Sequence, residues 1–236
     1  MRPCEWHRDR EHILYDADCL ANVGAEQFDP AWWQARGAVE GSASGRGTTW
    51  FVRAGALALV LRHYRRGGLI ARLSADRYFW LGLARTRAWA EWGLLARLRA
   101  LGLPVPRPVA ARVIRGGLGY RADILVERLE GCEPLAERLQ RGPAGPELWQ
   151  QVGRCIRRFH DAGVYHHDLN ASNILLAPDG QVYLIDFDRG RLRRPGGWRA
   201  QNIARLHRSL AKFAARPASF HFDAAGWEAL RRGYGG

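Results

Sequence analysis

The chain has 236 residues, 47% of them hydrophobic, and its 36 Lys and Arg against 23 Asp and Glu give a formal net charge of +13. That apolar content supports a real core and excludes a disordered chain, while the longest apolar run, "GALALVL" at 55–61, is far too short to cross a bilayer. Cys4, Cys19, Cys132 and Cys155 are scattered without a C-x-x-C pair, which excludes the usual zinc and disulfide frameworks and suits a reduced, cytosolic protein.

The basic balance points to an anionic partner: nucleic acid, an acidic membrane surface or a phosphorylated substrate. Nearly all of it is arginine, because Lys212 is the only lysine. The first sixteen residues are studded with charge and do not read as a secretory signal.

In chain order, "HILYDA" (12–17) predicts a strand, and the aromatic cluster Phe28, Trp32 and Trp33 predicts packing. "TTWFVRA" and "ALALVLRHY", joined through Gly55, predict an antiparallel hairpin. A helix follows from about Arg85 to Leu101, stopped by Gly102 and three prolines. Its apolar stripe, Leu94, Leu95, Leu98 and Leu101, also includes Glu91. A carboxylate facing a core requires a cationic partner, and Arg62, on the strand upstream, is the residue proposed for it. "AARVIR" and "YRADILVERL" flank the turn "GGLG" as two more strands.

Beyond Pro134 the pattern turns helical, clearest in "ELWQQVGRCIRRFHDAG" with Leu148, Val152, Cys155 or Ile156, and Phe159 at helical spacing. "NILLAP" and "VYLIDF" predict a second hairpin around Pro178, Asp179 and Gly180, and helices near 202–215 and 223–233 close the chain. The order is a sheet-rich part followed by a helix-rich part, with a boundary in "LEGCE" (129–133).

Polar residues concentrate around that second hairpin. Asp168 and Asn173 precede it and Asp186 ends its second strand. A carboxylate and an amide oxygen brought together there are hard ligands suited to magnesium held against phosphates, and Asp168 is a further carboxylate able to take a proton from an attacking hydroxyl. Gly45 and Gly47 form a turn between strands where backbone N–H groups could approach phosphates, although one G-x-G is weak evidence.

H-x-D-L-x-x-x-N followed by D-F-x, here His166, Asp168, Leu169 and Asn173, then Asp186, Phe187 and Asp188, resembles the catalytic loop and metal motif of the protein-kinase-like superfamily. The resemblance implies an α+β, two-lobe protein-kinase-like fold. Residues 1–130 would be a small antiparallel-sheet lobe that binds nucleotide, and residues 131–236 a shortened helical catalytic lobe. It further implies ATP and Mg2+, Asp168 as catalytic base, Asn173 and Asp186 as metal ligands, His166 as a support of the loop, and adenine against the backbone at Glu127 to Leu129. Arg62 stands where such kinases carry a phosphate-binding lysine. It either replaces that lysine, since arginine also pairs bidentately with phosphate and carboxylate, or marks a pseudokinase. Arg46 and Arg189 are candidates for further phosphate compensation.

Too little chain follows Asp188 for the activation segment and peptide-binding helices of a protein kinase, and no A-P-E motif is present. A small-molecule or lipid-linked acceptor is expected instead. Arg189, Arg191, Arg193, Arg194, Arg199, Arg205 and Arg208 cluster after the metal motif, with the first four as candidate acceptor ligands. "GRGTTWFV", "VLRHYRRGGL", "VYHHDLNASNILL", "LIDFDRGRLR" and "NIARLHRSLAKF" together resemble the bacterial lipopolysaccharide kinase family, on its branch acting on 3-deoxy-D-manno-octulosonic acid (Kdo). This implies phosphorylation of the Kdo 4-hydroxyl on a Kdo-bearing lipid A precursor, at the anionic cytoplasmic face of the inner membrane of a Gram-negative bacterium, with the protein peripheral. A heptose or aminoglycoside kinase of the same fold and a pseudokinase in lipopolysaccharide assembly are the alternatives. Nucleic acid is not an expected partner, as no recognised binding motif accompanies the charge.

Overall fold

A computed structural model of the chain describes residues 1–44, 48–66, 76–216 and 219–235. Gly45, Arg46 and Gly47, the residues expected at the phosphates, lie outside these. The chain divides into two compact units, Met1–Arg97 with Pro106–Glu130, and Leu98–Val105 with Gly131–Gly236.

The first unit is built on an antiparallel sheet. Its strands are β1 (Pro3–Arg8), β2 (Glu11–Asp16), β3 (Val39–Ser44), β4 (Thr48–Ala54), β5 (Leu57–His63), β6 (Tyr78–Phe79), β7 (Pro108–Gly116) and β8 (Gly119–Glu127), in the order β1-β2-β7-β8-β5-β4-β3 with β6 added against β8. The β4–β5 hairpin forms around Gly55, whose φ of 59° a side chain would resist. β1 is the strand that hydrophobic patterning misses. It is an edge strand, its side chains are largely solvated, and Asp9 at φ 54° makes the turn that folds it onto β2.

Both faces of this sheet are covered. On one, Phe28 and Trp33 pack with Ile13, Val52, Leu59 and Leu61, Trp33 coming from the short helix α1 (Pro30–Gln34), which Asp29 caps by accepting from Ala31 N at 2.9 Å. On the other, Ala88 and Trp92 of α2 (Arg87–Ala100) pack with Tyr64, Ala111, Val113, Tyr120 and Ile124. Each fully buried large side chain contributes roughly 1.5–3 kcal/mol. Buried Asp123, 3% exposed, is paired: it accepts from Arg112 at 2.9 Å and contacts His63 Nδ1 at 2.6 Å. The buried residues of α2 include Glu91, Trp92, Leu95 and Leu98. Leu101, expected on that stripe, is exposed, because the helix ends at Ala100 and Gly102 turns the chain at φ 69°.

The second unit contains β9 (Glu133–Pro134), α3 (Leu135–Arg141), α4 (Pro146–Asp161), β10 (Val164–Tyr165), β11 (Ile174–Leu176), β12 (Val182–Leu184), β13 (Arg191–Leu192), α5 (Trp198–Ala214) and α6 (Ala224–Tyr234). In α4 the buried stripe runs through Trp149, Val152, Ile156 and Phe159, with Leu148 only at its edge. α4 and α6 meet backbone to backbone: a Cβ on Gly153 would collide with the Leu230 carbonyl, and one on Gly233 with that of Gln150. β11 pairs with β12 and β9, and β10 with β13, all antiparallel. The class is α+β, as expected, with the antiparallel sheet early in the chain and the longer helices late.

Candidate active site

The loop after β10 is held by a histidine. His166 is 2% exposed; its Nε2–H donates to Ile185 O at 2.9 Å, and its Nδ1 accepts from Asp168 N at 3.2 Å. One ring thereby ties the Asp168 loop to the segment carrying Asp186. Burial lowers the His166 pKa, which keeps the ring neutral and able to serve as donor and acceptor together. Its ring lies 4.7 Å from that of Phe187, which stacks on Phe159 at 5.8 Å. Asn202 of α5, also buried, brackets the His166 backbone, donating to its carbonyl at 2.8 Å and accepting from its N–H at 3.3 Å.

Asn170 caps the following 3-10 turn, Ala171–Asn173, accepting from Ser172 N and Asn173 N at 2.8 and 3.2 Å. Asn173 Nδ2 donates to Asp168 O at 2.9 Å, and Asn173 O accepts from Ile185 N at 3.0 Å. Asn173 is thus bonded directly to Asp168, and Ile185, the residue before Asp186, is tied to both Asn173 and His166. Asp186 sits at φ 62°, a left-handed conformation that Asp adopts more readily than most residues with a side chain. Among the described residues no group of three or more His, Cys, Asp or Glu could hold a metal.

Asp168 also has a long-range partner. Arg205 of α5 ion-pairs with it, both guanidinium bonds reaching Oδ1, the one from Nε at 3.1 Å. Burial pushes the Asp168 carboxyl up, but the Arg205 hydrogen bond and charge outweigh it and hold the group below the usual carboxylate range.

In the first unit, Arg62 Nη2 donates to both oxygens of Glu91 at 2.7 Å, and Glu91 is 3% exposed. Tyr64 OH donates to Glu91 Oε2 at 2.5 Å. The pair inferred from helix periodicity is therefore formed, and Tyr64 is an unforeseen third member. Glu127 Oε2 accepts from Arg107 N at 3.2 Å, while Leu129 is half-buried just beyond β8. Arg189, at φ 60°, and Arg191, Arg193 and Arg194 are all exposed; the Arg191 and Arg193 guanidinium carbons lie 5.6 and 5.1 Å from the Tyr165 ring. His160 is a satisfied core histidine, between Tyr234 OH at 2.7 Å and Asn202 Oδ1 at 3.4 Å.

Tyr64 carried a signal: two residues beyond Arg62 on an extended segment, it projects to the same face. Arg205 carried none that separates it from its neighbouring arginines, since only the placement of α5 sets it on Asp168.

Compared with known proteins, residues 30–234 match the model of the Lipopolysaccharide kinase (Kdo/WaaP) family. A protein of Photobacterium profundum called 3-deoxy-D-manno-octulosonic acid kinase is 44% identical over 96% of this chain and 95% of its own length. Proteins of the same name from Xylella fastidiosa and Xanthomonas campestris pv. campestris are 50% and 48% identical, covering 98% and 94% of this chain and 92% and 88% of theirs.

Proposed function

Because the chain belongs to the lipopolysaccharide kinase (Kdo/WaaP) family, we propose that it transfers the γ-phosphoryl group of ATP to the 4-hydroxyl of Kdo on a lipid A precursor. The observation that carries the reading is that His166 and Asn173 bond both the Asp168 loop and Ile185, the residue before Asp186, in a chain that aligns almost end to end with proteins called Kdo kinases. In the reaction the acceptor oxygen forms a bond to the γ-phosphorus as the bond to the β–γ bridging oxygen breaks, and ADP leaves. Asp168 takes the hydroxyl proton. Both Arg205 bonds go to its Oδ1.

The donor set fits magnesium. Asn173 spends its Nδ2 on the Asp168 carbonyl, which turns its oxygen into the available ligand atom, and Asp186 adds a carboxylate. Such a set suits an ion that is otherwise bound by phosphate and water, and when present that ion would offset phosphate charge. Arg62, oriented by Glu91 and Tyr64, would neutralise phosphate charge in place of a lysine. Arg46 would assist it, with Gly45 and Gly47 offering backbone N–H groups, and adenine would meet the backbone at Glu127 to Leu129. Arg189, Arg191, Arg193 and Arg194 would bind the carboxylate and phosphates of the acceptor. No helix among the described residues is long and apolar enough to cross a membrane. A net charge of +13 then supports peripheral attachment to the anionic inner face of the inner membrane.

The test is Asp168→Ala. It should abolish transfer to the Kdo lipid while changing nucleotide affinity by no more than about threefold, because the base acts only in the chemical step. Wild-type turnover in this variant would remove Asp168 from the role.

A further inference from the structure

The segment from Tyr78 to Leu81 alternates in and out as a strand does. Tyr78 is 9% exposed and Trp80 is packed edge-on against Tyr120 at 6.2 Å, whereas Phe79 and Leu81 are 74% and 68% exposed. Alongside them is the tip of the β7–β8 hairpin, where Trp80 N donates to Leu118 O at 3.0 Å and Phe79 pairs with Gly119. Leu118, beyond Gly117 at φ 60°, is 85% exposed, the highest value among the large exposed hydrophobics of the described residues. Three exposed apolar residues thus lie on adjoining backbone segments at one tip of the first unit, and isolated exposure does not account for such a grouping.

The exposed charge around that tip is mainly positive; Asp76, 4.0 Å from Arg121, is the acidic residue beside it, and Arg112 is spent on Asp123 and Glu11. Residues 77–87 contain Arg77, Arg85 and Arg87, residues 112–121 contain Arg112, Arg115 and Arg121, and neither segment has an Asp or Glu. Arg77, Arg85, Arg115 and Arg121 are exposed, and the Arg115 guanidinium lies over the Trp80 ring at 5.1 Å. Exposed apolar residues flanked by exposed arginines, with a partly buried tryptophan in the same segment, match a bilayer interface: acyl chains below, phosphate headgroups at the rim, an indole at the boundary. A protein groove would have to present acidic groups all around an apolar pocket, whereas an anionic membrane offers that arrangement everywhere.

We infer that Phe79, Leu81 and Leu118 insert into the interface of an anionic phospholipid bilayer and that the surrounding arginines hold its headgroups. This deepens the proposed function by naming the surface that meets the membrane, and it rests on that reading only for its motive. The full-length protein is floated with phosphatidylethanolamine vesicles containing phosphatidylglycerol, and separately with neutral phosphatidylcholine vesicles, none of them carrying Kdo. Wild type should bind the anionic vesicles and release them as salt rises. The triple variant Phe79→Ser, Leu81→Ser, Leu118→Ser should lose at least about tenfold in affinity with its urea midpoint unchanged, because all three side chains already face water. Leu101→Ser, another exposed leucine, should bind as wild type does. Equal binding by wild type and the triple variant, or wild-type binding to neutral vesicles as strong as to anionic ones, would overturn the inference. Absent phosphotransfer with intact, patch-dependent vesicle binding would count against the kinase reading alone.

Discussion

Replacing Glu91 tests whether Arg62 is a positioned group or a surface arginine. Glu91 is almost fully buried, takes two bonds from Arg62 and one from Tyr64, and sits in the middle of α2. Removing one member of a fully buried ion pair costs about 3–5 kcal/mol. Arg62, though, is 25% exposed and water can take up part of its charge, so Glu91→Ala should cost about 2–3 kcal/mol, against a total stability of roughly 5–15 kcal/mol. Glu91→Gln keeps the volume and an acceptor for Tyr64 but loses the charge assistance, and should cost about half as much. Both variants should also weaken ATP binding, because Arg62 loses its orientation, and Tyr64→Phe should do so to a smaller degree. Urea unfolding gives the stabilities and equilibrium titration with ATP the affinities. A Glu91→Ala protein within about 0.5 kcal/mol of wild type and with the same ATP affinity would refute the reasoning, since surface substitutions ordinarily fall within that range.

Asp186→Asn should weaken magnesium-dependent ATP binding while leaving magnesium-free binding alone; an unchanged magnesium titration would remove Asp186 from the ligand set. Gly153→Ala should lose about 2–3 kcal/mol by urea unfolding, because the added methyl collides with the α6 backbone, and no loss would mean that α4 and α6 are not in backbone contact. Burial pulls the His160 pKa down to about 4 from its ordinary 6.5. A depressed histidine keeps its full contribution above the unfolded pKa and loses it as pH falls through the folded one, a change of order 3 kcal/mol between roughly pH 6.5 and 4. His160→Gln should flatten this part of the stability profile, and an equal acid loss in both proteins would contradict the assignment.

What was legible beforehand follows from the range of the interactions. Hairpins and helices were readable because alternation, helical spacing and turn residues act locally. The Asp168, Asn173 and Asp186 constellation was readable because its residues flank one hairpin, and the Glu91–Arg62 pair because an acid on an apolar stripe demands a cation. Arg205 and Asn202 were not, because their partners lie 37 and 36 positions away and depend on where α5 packs. The grouping of Leu118 with Phe79 was equally hidden. It arises from the pairing of β6 with β8, and a two-residue strand has no periodicity to reveal it.

The most direct measurement incubates the purified protein with magnesium and γ-labelled ATP, offering a Kdo-bearing lipid A precursor beside the same lipid without Kdo. The account predicts label on the Kdo-bearing lipid alone, at the 4-position of the sugar. Label on both lipids alike, or on neither although ATP binds, would contradict it.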